Sequence, residues 1–589
     1  MLGMTAEAIK TTKKSKALGP DKLAPIHLHH LGPKGVAYLA HTISWCYNTS
    51  IIPHKWKVGK IIPLLKPGKD AELSKSYRPI ALLSPVAKLA EKLLLLDFEQ
   101  SVQLEDHQHG FRKERSTITA LNCISDTIKR GLNKSKPCHR SLVVALDLTA
   151  AFDTVDHTTL LNDIYQSELP NYVKRWMLSY LQGRFTYTDF RGRTSRNRKM
   201  KQGVPQGGVL SPFLFNMYMK SMPRPPDNII VVTYADDITL ITSGPVKEEL
   251  ASRMNKYLEE LCSWLESRNL ILSLDKSTTT LFSTWSKDVS YQPVVKVNNH
   301  TLPVVKHPKI LGVYFDNMMN FSHHINIMGN KLLKRNNVVK KIAGTNWGCS
   351  KETLSTTYKA IGRSVLNYAA PVWTPNLSDT NWKFLQRRQN VALRAATGCV
   401  RMTPIEHIHQ ETKILPVKEH SQMLSRQFLL GCHQPSRVDH CTVSIQDESR
   451  NIRPTLSSAF HRDIASQLHN NKLSPESYKA GLKLLHTNEV SNFRNKTSKL
   501  LGTCPPDIDS SEEKLDRSVR VKLSQLRSGY STILNSYNSR IDNNIVDKCS
   551  DCQATGHTTD HLFNCPSRPT NRTTPVSGKS HKQPLIFWA

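Results

Sequence analysis

Two adjacent carboxylates, Asp236 and Asp237, are the strongest chemical signal in the 589-residue sequence. They lie between two apolar segments, 229–233 and 238–242, which predict a hairpin with an acidic tip. Because neighbouring side chains on a strand point to opposite faces, a tight turn is needed to bring both carboxylates to one site. Like charges there repel unless a cation neutralises them, and their hard oxygen atoms suit Mg²⁺. An ordinary Asp-containing turn is the alternative interpretation of this dipeptide alone.

A third carboxylate, Asp147, ends the apolar segment 142–146. This segment predicts a buried strand, where an unpaired charge would be costly. Three carboxylates at strand ends are typical of the metal site of a nucleotidyl transferase. In such a site one metal activates a primer 3′-hydroxyl, while both metals stabilise charge on the phosphate being transferred.

The elements that must position these carboxylates are both helices and strands. From residue 19 to about 321, short β-branched segments alternate with helical patterns, which predicts an α+β fold. The leucine spacing over 250–265 predicts a long amphipathic helix after the hairpin. The pattern is mostly helical and basic over 322–398, and polar and mainly helical over 401–545.

The charge balance indicates a polyanionic partner. Lys and Arg number 80 against 48 Asp and Glu, a formal net charge of +32, which points most simply to nucleic acid. The apolar fraction of 39% excludes wholesale disorder. No segment approaches the roughly 18 unbroken apolar residues of a membrane span, and the N-terminus has no secretory signal. We therefore expect an intracellular protein without a membrane partner, whose twelve cysteines form no disulfide framework.

An ordered series of motifs surrounds the three carboxylates. The central blocks are Ala145–Asp153, Gln202–Pro212 and Tyr234–Asp237. The flanking blocks are Gly19–Asp21, Ile61–Lys69, Ser76–Leu83, Gln108–Arg112, Leu274–Lys276 and Leu311–Asp316. In content and order they resemble the reverse transcriptase of non-LTR retrotransposons, more narrowly of the jockey type. The resemblance covers roughly residues 15 to 420, and less specific motifs extend it to Cys565.

The resemblance implies a fold class and a set of site residues. The fold is a right-hand polymerase with fingers, palm and helical thumb, followed by a mainly helical C-terminal region with a small zinc-binding module. Asp147, Asp236 and Asp237 match the catalytic carboxylates that bind two Mg²⁺ ions. The residues that match nucleotide contacts are Lys66, Arg78, Phe152, Gln206 and Lys276.

Each nucleotide contact has a plainer alternative. Phe152 matches the bulky gate beneath the nucleotide sugar, which favours deoxynucleotides, but it also suits core packing. Lys66 and Arg78 match triphosphate-binding residues, a task for one point charge and one forked donor, but either suits a solvated surface. Gln206 matches a glutamine that contacts the incoming nucleotide. Lys276 matches a lysine near the triphosphate, or is an ordinary surface lysine.

The cysteines near the C-terminus have zinc-ligand chemistry. Cys549, Cys552, His561 and Cys565 are the preferred set, since His561 and Cys565 are four residues apart and share a helical face. His557 instead gives the spacing Cys-x2-Cys-x4-His, but Cys565 then comes three residues later than a zinc knuckle would place it. Similar elements carry a terminal Cys-Cys-His-Cys module, which supports zinc; free cysteines are the alternative.

A basic segment, 191–201, contains six cations and no acidic residue. In a polymerase it would lie along the phosphates of the template and primer, and a solvated loop is the alternative. Across the whole chain we expect fingers and palm over 1–320, a helical thumb over 321–420, a helical connector over 421–540, the zinc module over 541–568 and a flexible tail over 569–589.

The expected function is RNA-directed DNA synthesis. The partners would be an RNA template, a DNA primer or target DNA, and deoxynucleoside triphosphates, in a nuclear or cytoplasmic ribonucleoprotein. Because the fingers motifs begin almost at Met1, we expect the endonuclease domain of complete elements to be absent. That absence favours the alternative, a catalytically idle nucleic-acid-binding remnant. An RNA-dependent RNA polymerase is disfavoured by Phe152 and by Ala235, where a glycine usually precedes the acidic pair.

Overall fold

The chain divides into two compact units, residues 1–311 and 312–589. The computed structural model describes residues 1–134, 137–344, 347–433, 453–465, 474–494, 512 and 514–567. The division falls before the expected boundary at residue 320, and the finer domain boundaries remain predictions. Within the described residues, no helix combines the length and the apolar character needed to cross a membrane.

The first unit mixes helices and strands, as the alternating sequence pattern predicts. Its helices are α1 (Leu2–Lys10), α2 (Pro25–His29), α3 (Pro33–Thr49), α4 (Pro85–Ser101), α5 (Thr117–Asn133), α6 (Ala151–Thr154), α7 (His157–Gln166), α8 (Asn171–Leu181), α9 (Ser211–Met219) and α10 (Lys247–Ser267). Its strands are β1 (Val58–Leu65), β2 (Tyr77–Leu82), β3 (Arg140–Asp147), β4 (Phe185–Phe190), β5 (Arg193–Thr194), β6 (Arg198–Lys199), β7 (Ile229–Tyr234), β8 (Asp237–Gly244), β9 (Thr278–Phe282), β10 (Lys296–Val297), β11 (His300–Thr301) and β12 (Lys309–Ile310).

A four-stranded antiparallel sheet, in the order β7-β8-β3-β9, carries the acidic residues. It confirms the predicted buried strand and the predicted hairpin. Helices α5 and α10 pack against it, and α10 confirms the long amphipathic helix. Because the sheet is covered in this way, the central strand β3 is buried along most of its length, which explains its unbroken apolar sequence. The β3–β8 register places Asp147 opposite Asp237.

A second sheet carries parts of the motifs Ile61–Lys69 and Ser76–Leu83, together with the basic segment 191–201. Its strand order is β2-β1-β4-β5, and β6 pairs with β4. Strand β1 is antiparallel to β2 and parallel to β4. Residues 191–199, which connect and form β5 and β6, are exposed to solvent.

The second unit is mainly helical, as expected for a thumb and its continuation. It begins with strand β13 (Val313–Tyr314) and contains a π-helical turn, Tyr358–Arg363. Its helices are α11 (Ser322–Lys341), α12 (Lys351–Thr357), α13 (Ser364–Asn367), α14 (Ala370–Trp373), α15 (Asp379–Thr397), α16 (Ile405–Thr412), α17 (Val417–Cys432), α18 (Leu456–Ala465), α19 (Pro475–Arg494), α20 (Arg517–Ser528), α21 (Asn535–Asn538) and α22 (Thr559–Asn564).

A buried ion-pair network joins α20 to α12 and α16. Lys351 Nζ lies 2.9 Å from Glu411 Oε2, and Arg527 on α20 pairs with both Glu411 and Glu512. Burial alone would raise the pKa of Glu411, but the cations of Lys351 and Arg527 lower it to about 2. In addition, Arg517 donates hydrogen bonds to backbone carbonyls at the end of α15. Helix α20 is therefore packed into the same unit as helices more than a hundred residues earlier in the chain.

Candidate active site

The acidic pair lies on a two-residue hairpin turn. Tyr234, the last residue of β7, pairs with Asp237, the first residue of β8, and Ala235 and Asp236 form the loop between them. Ala235 has a φ of +57°. A positive φ at the first loop residue matches the type II′ turn, whose twist suits a hairpin but which normally uses glycine there. The turn thus holds a non-glycine residue in a strained conformation and brings Asp236 and Asp237 to one end of the sheet, beside Asp147.

Gly110 lies directly against this turn. The segment before it pairs with β7: Thr233 N–H donates to the His107 carbonyl, and His109 N–H donates to the Thr233 carbonyl, both at 2.8 Å. A Cβ atom at position 110 would lie only 2.4 Å from the backbone nitrogen of Ala235. Only glycine therefore allows the two backbones to approach this closely.

The three carboxylates repel one another. Partial burial, with the charges of Asp236 and Asp147, raises the pKa of Asp237 to about 6. The pKa of Asp236 is also raised, by burial and by Asp147, and the cations of Lys276 and Arg78 oppose that rise. Lys276 Nζ lies 2.8 Å from Asp147 Oδ2. A site with this surplus of hard, negatively charged oxygen atoms fits a divalent cation such as Mg²⁺.

Gln206 lies in a tight turn just before α9, and this turn contacts both β2 and α6 in space. Its side-chain nitrogen donates to both carboxylate oxygens of Asp153, at 2.9 and 3.0 Å. Its carbonyl accepts a hydrogen bond from Ala81 N–H on β2. Gly207 has a φ of +136°, and a Cβ there would lie 2.3 Å from the Ala81 carbonyl oxygen. The glycine-rich motif therefore serves close packing of backbone on backbone.

Glu91 supports the same motif and was not predicted from the sequence. This buried carboxylate accepts hydrogen bonds from Val209 N–H at 2.6 Å, from Leu210 N–H at 3.2 Å and from the Tyr180 hydroxyl at 3.1 Å. It thereby fixes the chain where the glycine-rich turn enters α9. The sequence does contain a signal for this role. Glu91 lies four residues after Ala87, on the apolar face of α4, where an acidic residue must find hydrogen-bond partners.

Phe152 lies in an aromatic cluster. Its ring stacks on Phe215 with the centroids 4.7 Å apart, and Phe111 meets it edge-on at 6.0 Å. The side chain is half-buried. One face of the ring is thus supported by packing, an arrangement that serves both a rigid sugar gate and a core position.

Lys66 and Arg78 lie at the paired ends of β1 and β2. Arg78 is exposed, lies opposite Leu64, and its charge acts on Asp236. Lys66 follows β1, and its ammonium donates to the Lys75 carbonyl at 3.0 Å. Arg78 is therefore linked electrostatically to the acidic turn, whereas Lys66 is tied to its own loop.

A second set of possible ligands lies near the C-terminus. The donor atoms of Cys549, Cys552, His561 and Cys565 all lie within 4.8 Å of one another. Hydrogen bonding, led by the backbone at Cys552, lowers the pKa of Cys549 to about 6. His557 Nδ1 instead accepts a hydrogen bond from the backbone at 535, at 3.1 Å. The geometry therefore favours His561 over His557, and three thiols with one imidazole are a donor set that fits Zn²⁺.

The acidic turn, Lys66 and Arg78 all lie in the part of the chain that matches one family model. Residues 64–317 match the family model of the reverse transcriptases, described as RNA-dependent DNA polymerases. A probable RNA-directed DNA polymerase from transposon BS of Drosophila melanogaster is 27% identical over 430 residues, covering 70% of this chain and 46% of the relative. The RNA-directed DNA polymerase from mobile element jockey of Drosophila funebris is 27% identical over 378 residues, 62% of this chain and 40% of the relative.

The chain spans about half the length of the curated relatives it matches. Among solved structures, apo telomerase from Candida tropicalis aligns over 67% of this chain and 71% of that chain, at 13% identity with a TM-score of 0.33. That likeness is too weak to decide the fold.

Proposed function

We propose that this chain, which carries a reverse transcriptase domain akin to those of jockey-like non-LTR retrotransposons, extends a DNA primer on an RNA template. The observation that carries the proposal is the group of three carboxylates, Asp147, Asp236 and Asp237, at one end of a buried sheet inside the matched domain. The net charge of +32 supports RNA and DNA as partners. An intracellular ribonucleoprotein, nuclear or cytoplasmic, is the setting we propose.

The carboxylates would hold two Mg²⁺ ions. When bound, such ions lower the pKa of the primer 3′-hydroxyl and offset charge on the reacting phosphate. Arg78 offers a forked donor to a triphosphate and Lys66 a point charge. We assign Lys276 to the same triphosphate, since its ammonium already lies at the edge of the carboxylate group. Gln206 would position the nucleotide from its backbone-anchored turn.

The exposed basic strip over 191–201 supports contact with template and primer phosphates. Its cations are Arg191, Arg193, Arg196, Arg198, Lys199 and Lys201, all exposed. Arg193 lies in β5, and Arg198 and Lys199 lie in β6, so the backbone of these three is held in a sheet while their side chains remain in solvent. Cations presented in this way suit contact with phosphates, which carries no sequence information.

The decisive experiment is deoxynucleotide incorporation by the purified chain on a primed RNA template with Mg²⁺. The polymerase predicts incorporation directed by the RNA sequence. An idle remnant predicts that the primed RNA binds but no nucleotide is added. Incorporation of ribonucleotides alone would point instead to RNA synthesis.

Replacing Phe152 with alanine tests the sugar gate. Without the ring, a 2′-hydroxyl meets no obstacle, so ribonucleotide incorporation should rise relative to deoxynucleotide incorporation. A packing role alone predicts unchanged sugar selectivity and a loss of roughly 3–5 kcal/mol in the free energy of unfolding. Phe98→Ala is the matched control, since Phe98 is fully buried on α4 and should lower only stability. Sugar selectivity is measured by single-nucleotide incorporation, and stability by thermal unfolding of the same variants.

We also propose that Cys549, Cys552, His561 and Cys565 hold one structural Zn²⁺. Three thiolates and an imidazole close a tetrahedral site and leave no position open for catalysis. The surrounding segment is anchored to α20, because Thr559 Oγ1 donates to the Leu526 carbonyl at 2.9 Å. Metal binding would therefore stabilise the contact of this segment with α20 as well as its own fold.

Cys552→Ser tests the zinc site in the full chain. We expect one zinc per chain in the wild type under reducing conditions, and loss of that zinc with a lower unfolding temperature in the variant. Cys138→Ser, which changes a half-buried cysteine in the first unit, should retain zinc and stability. Elemental analysis gives the stoichiometry. If the wild-type chain contains no zinc, the proposed site is wrong, and the four residues are three free cysteines and an ordinary histidine.

A further inference from the structure

A cavity of 470 Å³ lies in the second unit, beside the π-helical turn and helices α16, α17 and α19. Its volume falls within the roughly 300–1,000 Å³ that is typical of small-ligand sites. Its walls carry three cations, Lys359, Arg363 and Lys413, together with two imidazoles, His420 and His486. No carboxylate is among the described residues that line it. The cavity is therefore positively charged on several sides.

Arg363 is the buried cation of the cavity. The residue is 6% exposed, its Nη2 donates to the Leu415 carbonyl, and its Nε is buried without a hydrogen-bond partner. Burial lowers the pKa of Arg363 to about 10. A buried guanidinium that pairs with a carbonyl and not with a carboxylate is expensive, so an anionic ligand would lower its energy.

His420 contributes no charge of its own near neutral pH. Burial, with the charges of Arg363 and His486, lowers its pKa to about 3. Its Nε2 lies 3.0 Å from Asn367 Oδ1, which orients the neutral ring as a donor to that amide. Arg363 and the two lysines therefore supply cationic groups to the cavity, and His420 does not.

The backbone beneath the cations is unusual. Lys359 and Arg363 both belong to the π-helical turn, and Tyr358, at its start, is fully buried with its hydroxyl donating to Gln389 Oε1 at 2.8 Å. A π-helical turn is a rare, costly interruption of a helix and is frequent at functional sites. Here it places two cations of one turn on the same cavity.

The cavity also has apolar lining residues. They are Leu415, Met423 and Val490, and the amides of Asn367 and Gln410 complete the lining. The cations suit a phosphate, and the apolar side chains suit contact with the attached nucleoside, although they are aliphatic and do not provide the aromatic stacking of most single-strand sites. A base-paired duplex keeps its bases stacked inside, whereas a single strand can turn one nucleotide into such a cavity.

We infer that this cavity binds a phosphate, with its attached nucleoside, of a single-stranded nucleic acid. The inference rests on the proposed function, which makes the RNA template the expected source of the strand. Single-stranded DNA offers the same phosphate chemistry and is the second possible source. The site is separate from the carboxylates, which belong to the first unit.

The test is binding of labelled single-stranded RNA and DNA to the full chain at several salt concentrations. In the variant Lys359→Ala/Lys413→Asn both exposed lysines are removed; asparagine is chosen because position 413 has a φ of +52°. We expect the slope of log affinity against log salt to become shallower by about 0.7, the value for the loss of one phosphate contact to a single strand. The control is Lys418→Ala, an exposed lysine of α17 paired with Asp379, which should leave the slope unchanged.

The outcomes separate the possibilities. A shallower slope with RNA supports the cavity as a template site, and a shallower slope with DNA alone supports the cavity with DNA as its source. Unchanged slopes with both strands overturn the inference, whatever the primer-extension activity. Conversely, a wild-type chain that fails to extend a primer defeats the proposed function, while the binding slopes remain readable. Lys359→Ala alone, expected to make the slope shallower by part of that amount, serves if the double variant unfolds.

Discussion

Asp236→Asn is expected to reduce Mg²⁺-dependent primer extension at least about a thousandfold, equivalent to about 4 kcal/mol of transition-state stabilisation. The amide preserves the shape of the turn but removes one anionic metal ligand. Binding of the primed template should remain nearly intact, because the phosphates are contacted by cations elsewhere. Single-turnover extension, measured beside template affinity, separates the two effects.

The control for this variant is Asp227→Asn, the same change of charge at an exposed position of the first unit. It should leave extension within about twofold of wild type, as expected for a surface substitution. Undiminished extension by Asp236→Asn would remove this carboxylate from the reaction. The assignment of Asp147 and Asp237 would then also need revision, since all three depend on the same metals.

Gly110→Ala is expected to lower extension about a hundredfold, although residue 110 carries no reactive group. The added Cβ would lie 2.4 Å from the Ala235 nitrogen, so the acidic turn must move. Displacing a catalytic group by about 1 Å is enough for a loss of that size. The kinetic signature should be a fall in kcat with little change in template affinity.

The matched control is Gly3→Ala, whose added Cβ meets open space. It should leave extension and stability unchanged or slightly improved, since alanine favours a helix more than glycine does. Normal extension by Gly110→Ala would mean that the turn can shift without harm. In that case its strained conformation would not be needed for activity.

The local elements around the site were predictable because their signals are local. The apolar segment before Asp147 predicts β3 by its composition. The two apolar segments on either side of the Asp236–Asp237 pair predict the β7–β8 hairpin by their composition and spacing. The supporting contacts were not predictable in the same way. Gly110 meets Ala235, and Glu91 meets Val209, only after distant segments have packed.

The C-terminal region shows the same limit. Spacing favoured His561 as the ligand and kept His557 as the alternative. The structure adds a reason that spacing could not supply, because the imidazole of His557 already accepts a hydrogen bond from the backbone at 535. Likewise, the mainly helical pattern predicted for 401–545 does not indicate where the helix 517–528 packs against α15 and α16. The segment predicted to be a helical connector, 421–540, thus contributes Arg517 and Arg527 to the helical core of the second unit.

The ion-pair network of the second unit also bears on how the chain folds during its synthesis. Lys351 and Glu411 leave the ribosome well before Arg527, which comes 527 − 351 = 176 residues after Lys351. At a translation rate of about 5–20 residues per second, Arg527 is synthesised roughly 10–35 seconds after Lys351. During that interval Glu411 lacks its ion pair with Arg527. The sheet bearing Asp147, Asp236 and Asp237, in contrast, is already fully translated. The carboxylate site can therefore form co-translationally, and the helical unit reaches its final packing only after residue 527 has emerged.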